Sequence, residues 1–252
     1  MTTPSGTISF QNIETEFGGS HPITMSEYYG KAVGIPTSGT ISMSQFQNKT
    51  AFSAFSNTFT TAGSGTVTIP YGANTVTLSI VGAGGPSGSS VSYPGIDAHI
   101  SGGGGGGGGY INWTISVAGY GGNTMSYVVG SGASLGVNGG NSSVTWVSLS
   151  PTAFGGAVGG NPGIGNGQAG GETAGIGGAG GGTGGGGLSD PIDRYNGSSG
   201  SNGNAEGGSG PGGNSGAGGA EFAGAGNGGT APGSYVSGSD PGATGYVRFA
   251  WA

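Results

Sequence analysis

The chain contains no cysteine, which removes disulfide cross-links, thiolate metal sites and thiol nucleophiles together. Charge is almost as scarce. Only 6% of residues are Asp, Glu, Lys or Arg, and four basic residues stand against ten acids, for a net charge of −6. A nucleic-acid binder needs lysine and arginine to displace phosphate counterions, and an anionic membrane attracts basic clusters, so neither partner is expected. No apolar run approaches the ~20 residues that cross a bilayer. The opening Met1-Thr-Thr-Pro-Ser-Gly6 has neither the basic nor the apolar region of a secretory signal. The expectation is a soluble protein made in a cytoplasm, which leaves it only as part of something larger.

What the chain has instead is glycine. There are 68, nearly all after residue 60, with eight in a row from Gly102 to Gly109. Glycine loses more conformational freedom on folding than any other residue, yet 32% of the residues are hydrophobic and 9% aromatic, enough for a modest core. Alternating apolar segments predict strands. Thr58 to Val81 reads as a hairpin or meander with its turn at Pro70–Asn74. Tyr110–Val117, Thr124–Val129, Val144–Leu149 and Gly245–Trp251 read as further strands, with Trp113, Trp146, Phe249 and Trp251 in the core. From Phe154 to Gly242 no comparable strand is expected.

Residues 1–50 differ, with six glycines and a repeat. Ser5-Gly-Thr-Ile-Ser-Phe-Gln-Asn-Ile13 recurs as Ser38-Gly-Thr-Ile-Ser-Met-Ser-Gln-Phe46, with a looser copy at Ile23-Thr-Met-Ser-Glu-Tyr-Tyr29. Each runs isoleucine, Ser or Thr, a large apolar residue, a polar pair and an apolar closer. Ser or Thr ahead of a short amphipathic turn is a helix N-cap signal. Units this small bury little core, so the segment is read as a docking piece ordered by a partner and largely unfolded alone. Its docking candidates are Ile8, Phe10, Ile13 and Phe17, then Ile23, Met25, Tyr28 and Tyr29, then Ile41, Met43 and Phe46. Residues 51–60 are a Ser/Phe-rich connector, and 61–252 form the glycine-rich domain.

Two accounts compete for the glycine tracts. One is a flexible linker. The other packs polyproline-II-like glycine helices side by side, three residues per turn, with backbones close enough to bond. Order is favoured because the last strand must return to the sheet across the whole stretch, which a floppy loop does poorly. Stacked rods would make turns of the inserts Pro86–Ser101, Leu188–Ser201 and Thr230–Pro241. Aromatic rings beside polar groups on rigid loops suit recognition, which nominates Tyr93, Asp97 and His99, Asp190, Asp193, Arg194 and Tyr195, and Tyr235 as receptor-binding candidates. The alternative is that these tyrosines merely cap the rods.

Enzyme chemistry finds no footing. The glycine runs lack the Lys-Ser/Thr that completes a phosphate loop. His21 and His99 have no triad spacing, and His21 reads as a surface turn residue. Asp97 with His99, or Asp190 with Asp193, supplies too few ligands for a metal, and the scattered acids pair in no way a glycosidase needs. No catalysis, cofactor or metal is expected.

Taken together, Ser5-Gly-Thr-Ile-Ser, Glu16-Phe-Gly-Gly-Ser20, Ile23–Gly30, Ile35–Ser42 and Phe46 resemble a motif of tailed-bacteriophage virion proteins, over about the first 48 residues. The remainder is similar to the glycine-rich domain at the C-terminus of phage tail proteins, through Val67-Thr-Ile-Pro70, Val76–Gly85, the polyglycine before Tyr110 and the closing Gly245-Tyr-Val-Arg-Phe. In the distal tail-fibre adhesins of T-even-like phages, such domains carry variable loops that contact host receptors. The amino-terminal third departs from those adhesins' attachment domain. The resemblance implies a virion protein, assembled in the host cytoplasm and oligomeric on the particle. It would be held to other virion proteins by its N-terminal segment and would display loops to a host glycan or outer-membrane protein. A capsid decoration or head-fibre protein with no ligand is the alternative. The expected fold is mostly β and irregular: the small repeat segment, then a glycine-rich β-sandwich-like domain with packed polyglycine-II helices.

Overall fold

The computed structural model describes residues 2–89, 91–92, 99–100, 103–134, 136–157, 183–186, 193–195, 199 and 240–252. Its first fifty residues turn the threefold repeat into three capped turns. The first is helix α1 (Phe10–Phe17) and the other two are 3-10 turns, Met25–Tyr28 and Met43–Phe46. Each begins at the Ser or Thr of its copy, and the residue three further on reaches back. Asn12 Oδ1 accepts from the Ser9 N–H at 2.9 Å, Glu27 Oε1 from Thr24 at 3.0 Å and Gln45 Oε1 from Ser42 at 2.8 Å. This satisfies a backbone donor that the helix start leaves over. The three apolar closers, Ile13, Tyr28 and Phe46, are fully buried together with Ala32 and Ile35. Phe17 meets Tyr28 and Phe46 edge-on, and Tyr28 meets Phe46 likewise, at 5.7 Å. The segment therefore carries a core of its own. Three copies of one short pattern each donate a closer to a shared centre, which a single copy has no means to bury.

Twelve strands follow: β1 (Phe55–Phe59), β2 (Gly63–Thr68), β3 (Thr75–Val81), β4 (Val91–Ser92), β5 (His99–Ile100) and β6 (Tyr110–Ser116). Then come β7 (Thr124–Val129), β8 (Ser142–Thr145), β9 (Ser150–Ala153), β10 (Thr183–Gly186), β11 (Asp193–Tyr195) and β12 (Tyr246–Trp251). Ten of them make a sandwich of two antiparallel sheets, each with four strands at its heart and a short fifth at one edge. The first runs β1-β12-β3-β6-β11 and the second β10-β9-β8-β7-β2, while β4 and β5 pair by themselves.

Between the sheets lie residues of period two. Val76, Leu78 and Ile80 of β3 alternate inward, as do Val247, Phe249 and Trp251 of β12 and Ile111 and Trp113 of β6. Cross-strand register lines them up, Phe249 opposite Leu78 and Leu78 opposite Trp113. Met125, Val129, Val144 and Ala153 face them from the second sheet. Trp113, Phe249 and Trp251 are buried, whereas Trp146 packs partly buried at the margin. At the β1/β2 edge Phe59 stacks on Tyr127 at 4.0 Å, and Tyr127 lies across Gly65, its cross-strand neighbour. That aromatic pair closes the sandwich side.

Several expectations are corrected. The stretch Thr58–Val81 is no hairpin: β2 bonds to β7 and β3 to β6 and β12, in opposite sheets. Alternation reports which side of a strand is buried, not which sheet it joins. The connector supplies β1. The predicted strand at Val144–Leu149 is split, with β8 ending at Thr145 and a tight bridge between Trp146 and Leu149 leading to β9. Strands β10 and β11 occupy part of the region in which none was expected.

Beyond the sandwich the apolar residues stop and glycine takes over. Six strand ends run on into glycine-rich segments: β3 into 82–88, β7 into 130–133 and β9 into 154–157, with 103–109 leading into β6, 138–141 into β8 and 240–245 into β12. Inside the sandwich, side chains hold paired sheets about 10 Å apart. Past its end, backbones of the two sheets bond directly. Ala83 donates to the Gly140 carbonyl at 2.9 Å, Gly156 to that of Ala83 at 2.8 Å and Gly245 to that of Gly130 at 3.0 Å.

Segment 82–88 sits in the middle of this array, and its donors obey a period of three. Gly82, Gly85 and Gly88 donate to Gly109, Gly106 and Gly103, while Gly84 and Ser87 donate to Ala243 and Asp240. Ala83 donates to Gly140, and the position three further on is Pro86, which has no N–H to place. A Cβ on Gly108 would strike the Gly82 carbonyl oxygen, one on Gly85 that of Ala157, and one on Gly242 that of Gly84. Glycine is needed there for close approach.

The N-terminal unit sits at the opposite end of the sandwich. The carbonyl of its Lys31 lies against Gly72 in the β2–β3 turn, and Glu16 Oε1 accepts from the Ala51 N–H at 2.7 Å. Repeats, sandwich and glycine array thus follow one another along one axis.

Candidate functional site

At the far end of the glycine array four of its segments lie side by side. Segment 82–88 runs outward and 103–109 returns beside it, with Gly88 donating to Gly103 at 2.8 Å. In the outward segment 154–157, the Ala157 carbonyl accepts from Gly106. In the inward segment 240–245, the Asp240 carbonyl accepts from Ser87 and its N–H donates to Ser87 Oγ at 2.8 Å. Gly88, Gly103, Ala157 and Asp240 therefore lie close together. Backbone bonding, with the Ser87 hydroxyl, fixes these four points in relation to one another.

Of the receptor-binding candidates, Tyr93, Asp97, Asp190 and Tyr235 lie outside the described residues. His99 is paired through the backbone with Ser92 in the β4/β5 ladder, rather than lying in an open loop. Asp193, Arg194 and Tyr195 are corrected from a rod-end turn to strand β11, opposite Asn112, Ile111 and Tyr110 at the edge of the first sheet. Residues 193–195 of the Leu188–Ser201 insert thus belong to the sandwich flank, whereas Pro86–Gly88 and Asp240–Pro241, of the other two inserts, lie at the array's end. The 86–101 insert is also shorter than expected, because Pro86–Gly88 still belong to the array.

The docking candidates turn inward. Ile13, Tyr28 and Phe46 are fully buried in the N-terminal core, and Ile8, Phe17, Ile23, Met25, Ile41 and Met43 pack around them. Tyr29 is half-buried, and its hydroxyl donates to the Gly39 carbonyl. Phe10 is the one of the eleven left exposed, at 48%, with Val33 beyond the nominated set at 65%. The apolar positions of the repeat mainly join the three copies to one another.

Titratable groups are few. Exposed His21 lies 2.9 Å from Glu14. The backbone N–H groups of Thr24 and Ser20 hold the Glu27 carboxyl below its ordinary value, and burial pushes the Tyr28 phenol up. Among the described residues no group of three His, Asp or Glu side chains is placed to hold a metal ion, and no helix is long and apolar enough to cross a membrane.

Two open hollows escaped the sequence reading. One, of about 530 Å³, lies between Gly34–Ser38 and Gln45 of the N-terminal unit and Tyr71 and Gly121 of the sandwich loops. The other, of about 250 Å³, lies over Phe59 and Tyr127 where Thr60–Ala62 link the sheets. Both are lined by neutral side chains, without a carboxylate, imidazole or amine for proton transfer. Contacts between residues this far apart in sequence leave no local signal. Comparison with protein-family models gives no match, and comparison with curated protein sequences gives none.

Proposed function

We propose that the protein is a structural component of a tailed-phage virion, a tail-fibre or tail-tip part that displays loops to a host surface receptor. On this reading the N-terminal unit faces the particle, and the array carries its inserts away from it as a bundle of polyglycine-II helices. One observation carries the proposal: Gly88, Gly103, Ala157 and Asp240, each in a different segment of the array, lie together at the end of the molecule remote from the N-terminal unit. The period of three in the donors of 82–88 supports the helical reading, since successive N–H groups of such a helix point to three different neighbours. A bundle held by backbone bonds and glycine contacts is a rigid scaffold, and loops on rigid scaffolds commonly carry binding function. The phage assignment itself rests on the sequence resemblance.

The test is immunogold labelling of intact particles with antibody to residues 61–252. Gold at the tail tip or fibres is the expected outcome and would justify adsorption assays on loop variants. Gold spread over the head would overturn the receptor-binding reading in favour of a decoration protein.

A further inference from the structure

Each sheet ends in an edge strand on the same side of the sandwich, β1 in the first and β2 in the second. An edge strand presents free N–H and C=O groups, which proteins usually guard with lysine, proline, a bulge or a covering element. The β1 segment Phe55-Ser-Asn-Thr-Phe59 has no charge and no proline. It pairs with β12 without a bulge, from Phe55 opposite Trp251 to Phe59 opposite Val247. Among the described residues no strand covers its other side. Phe55 is left 47% exposed, and Ser56 and Thr58 are exposed as well.

The segment also reads alike in both directions: Phe, hydroxyl, amide, hydroxyl, Phe. We infer that β1 is a homodimer edge, at which two copies of the chain pair antiparallel about a two-fold axis through Asn57 and fuse their first sheets into one. Phe55 of one copy then opposes Phe59 of the other on the face shared with Trp251, Phe249 and Val247. Ser56 opposes Thr58 on the outer face. Aromatic pairs and hydroxyl pairs are among the favourable cross-strand combinations. The symmetry of the sequence singles out a second copy as the occupant, because a two-fold interface must be complementary to itself, whereas a foreign strand places no such demand on the order Phe-Ser-Asn-Thr-Phe. Asn57 is already anchored, accepting from Trp251 Nε1 at 2.8 Å, so the central residue is held in place before the partner arrives. A five-residue ladder falls short of the ~1,200 Å² of a stable standard interface, so the dimer is weak and concentration-dependent in solution. The inference is independent of the virion reading.

Sedimentation velocity of the full chain, from micromolar to millimolar concentration at low salt, tests it. The expected result is a monomer–dimer equilibrium. The S56E/T58E variant sets like charges opposite each other in both outer pairs and lowers association about tenfold or more. S56K/T58E sets lysine against glutamate twice and restores it. Both changes lie at exposed positions, and unchanged far-UV circular dichroism and melting temperature verify the fold. A chain that stays monomeric throughout, a dimer indifferent to S56E/T58E, or a loss that S56K/T58E does not repair would each overturn the assignment.

Discussion

Gly108 and Gly6 are the same residue under opposite constraints. A methyl group on Gly108 meets the Gly82 carbonyl, whereas one on Gly6 meets nothing within 4 Å. Gly108→Ala is therefore expected to cost about 1–3 kcal/mol or more as overpacking, a fall of roughly 3–10 °C in melting temperature. Gly6→Ala should leave melting unchanged or slightly raised, since a compatible alanine restricts only the unfolded chain. Differential scanning calorimetry of the two variants makes the comparison. Val147 poses the reverse case. In a chain so rich in glycine, this β-branched residue occupies the left-handed region at φ 53° and is 79% exposed. Such a conformation costs about 1–2 kcal/mol for a residue with a Cβ, so Val147→Gly should raise the denaturant midpoint by about 1 kcal/mol equivalent.

At the scale of elements, the caps of the repeats carry a pH dependence. The Thr24 and Ser20 N–H groups depress the Glu27 carboxyl below 4.5. The stability it adds is therefore present above that pH and is lost as the pH falls through the lower folded value. Gln45 fills the equivalent place in the third copy and accepts the same bond without titrating. Glu27→Gln should accordingly flatten the acid transition of the N-terminal unit, read from its tyrosine signals below pH 4.5. Phe46→Ala removes a fully buried closer and is expected to cost about 3–5 kcal/mol. That should unfold the unit while leaving the β circular dichroism of the sandwich in place. The elements legible in the sequence were those with a strong period. Thr124–Val129 was bounded correctly, and Tyr110–Ser116 and Tyr246–Trp251 to within a residue, because alternation and burial coincide there. β9, β10 and β11 are short, and their strand character comes from their neighbours. The N-caps were legible from Ser9, Thr24 and Ser42, but the shared core of the closers was not, since it arises only when three copies meet.

On the scale of the whole molecule, the chain closes on itself late. The C-terminal strand β12 is not an edge but lies between β1 and β3, and its Trp251 ties back to Asn57 across 194 positions of sequence. Trp251→Ala is expected to cost about 3–5 kcal/mol and to loosen both neighbouring strands, visible as faster amide exchange in β1 and β3 alike. The array bears on how such a molecule can lengthen. Gly82, Gly85 and Gly88 serve one neighbour while Gly84 and Ser87 serve another, so each added residue turns the donors by a third of a revolution. One extra residue in 82–88 would aim every later N–H at the wrong neighbour, and so would two. Three would restore every direction and, on the polyglycine-II reading proposed above, move the end outward by about 9 Å. On that reading insertions and deletions within the array are quantised in triplets, so the reach of the molecule changes in fixed steps.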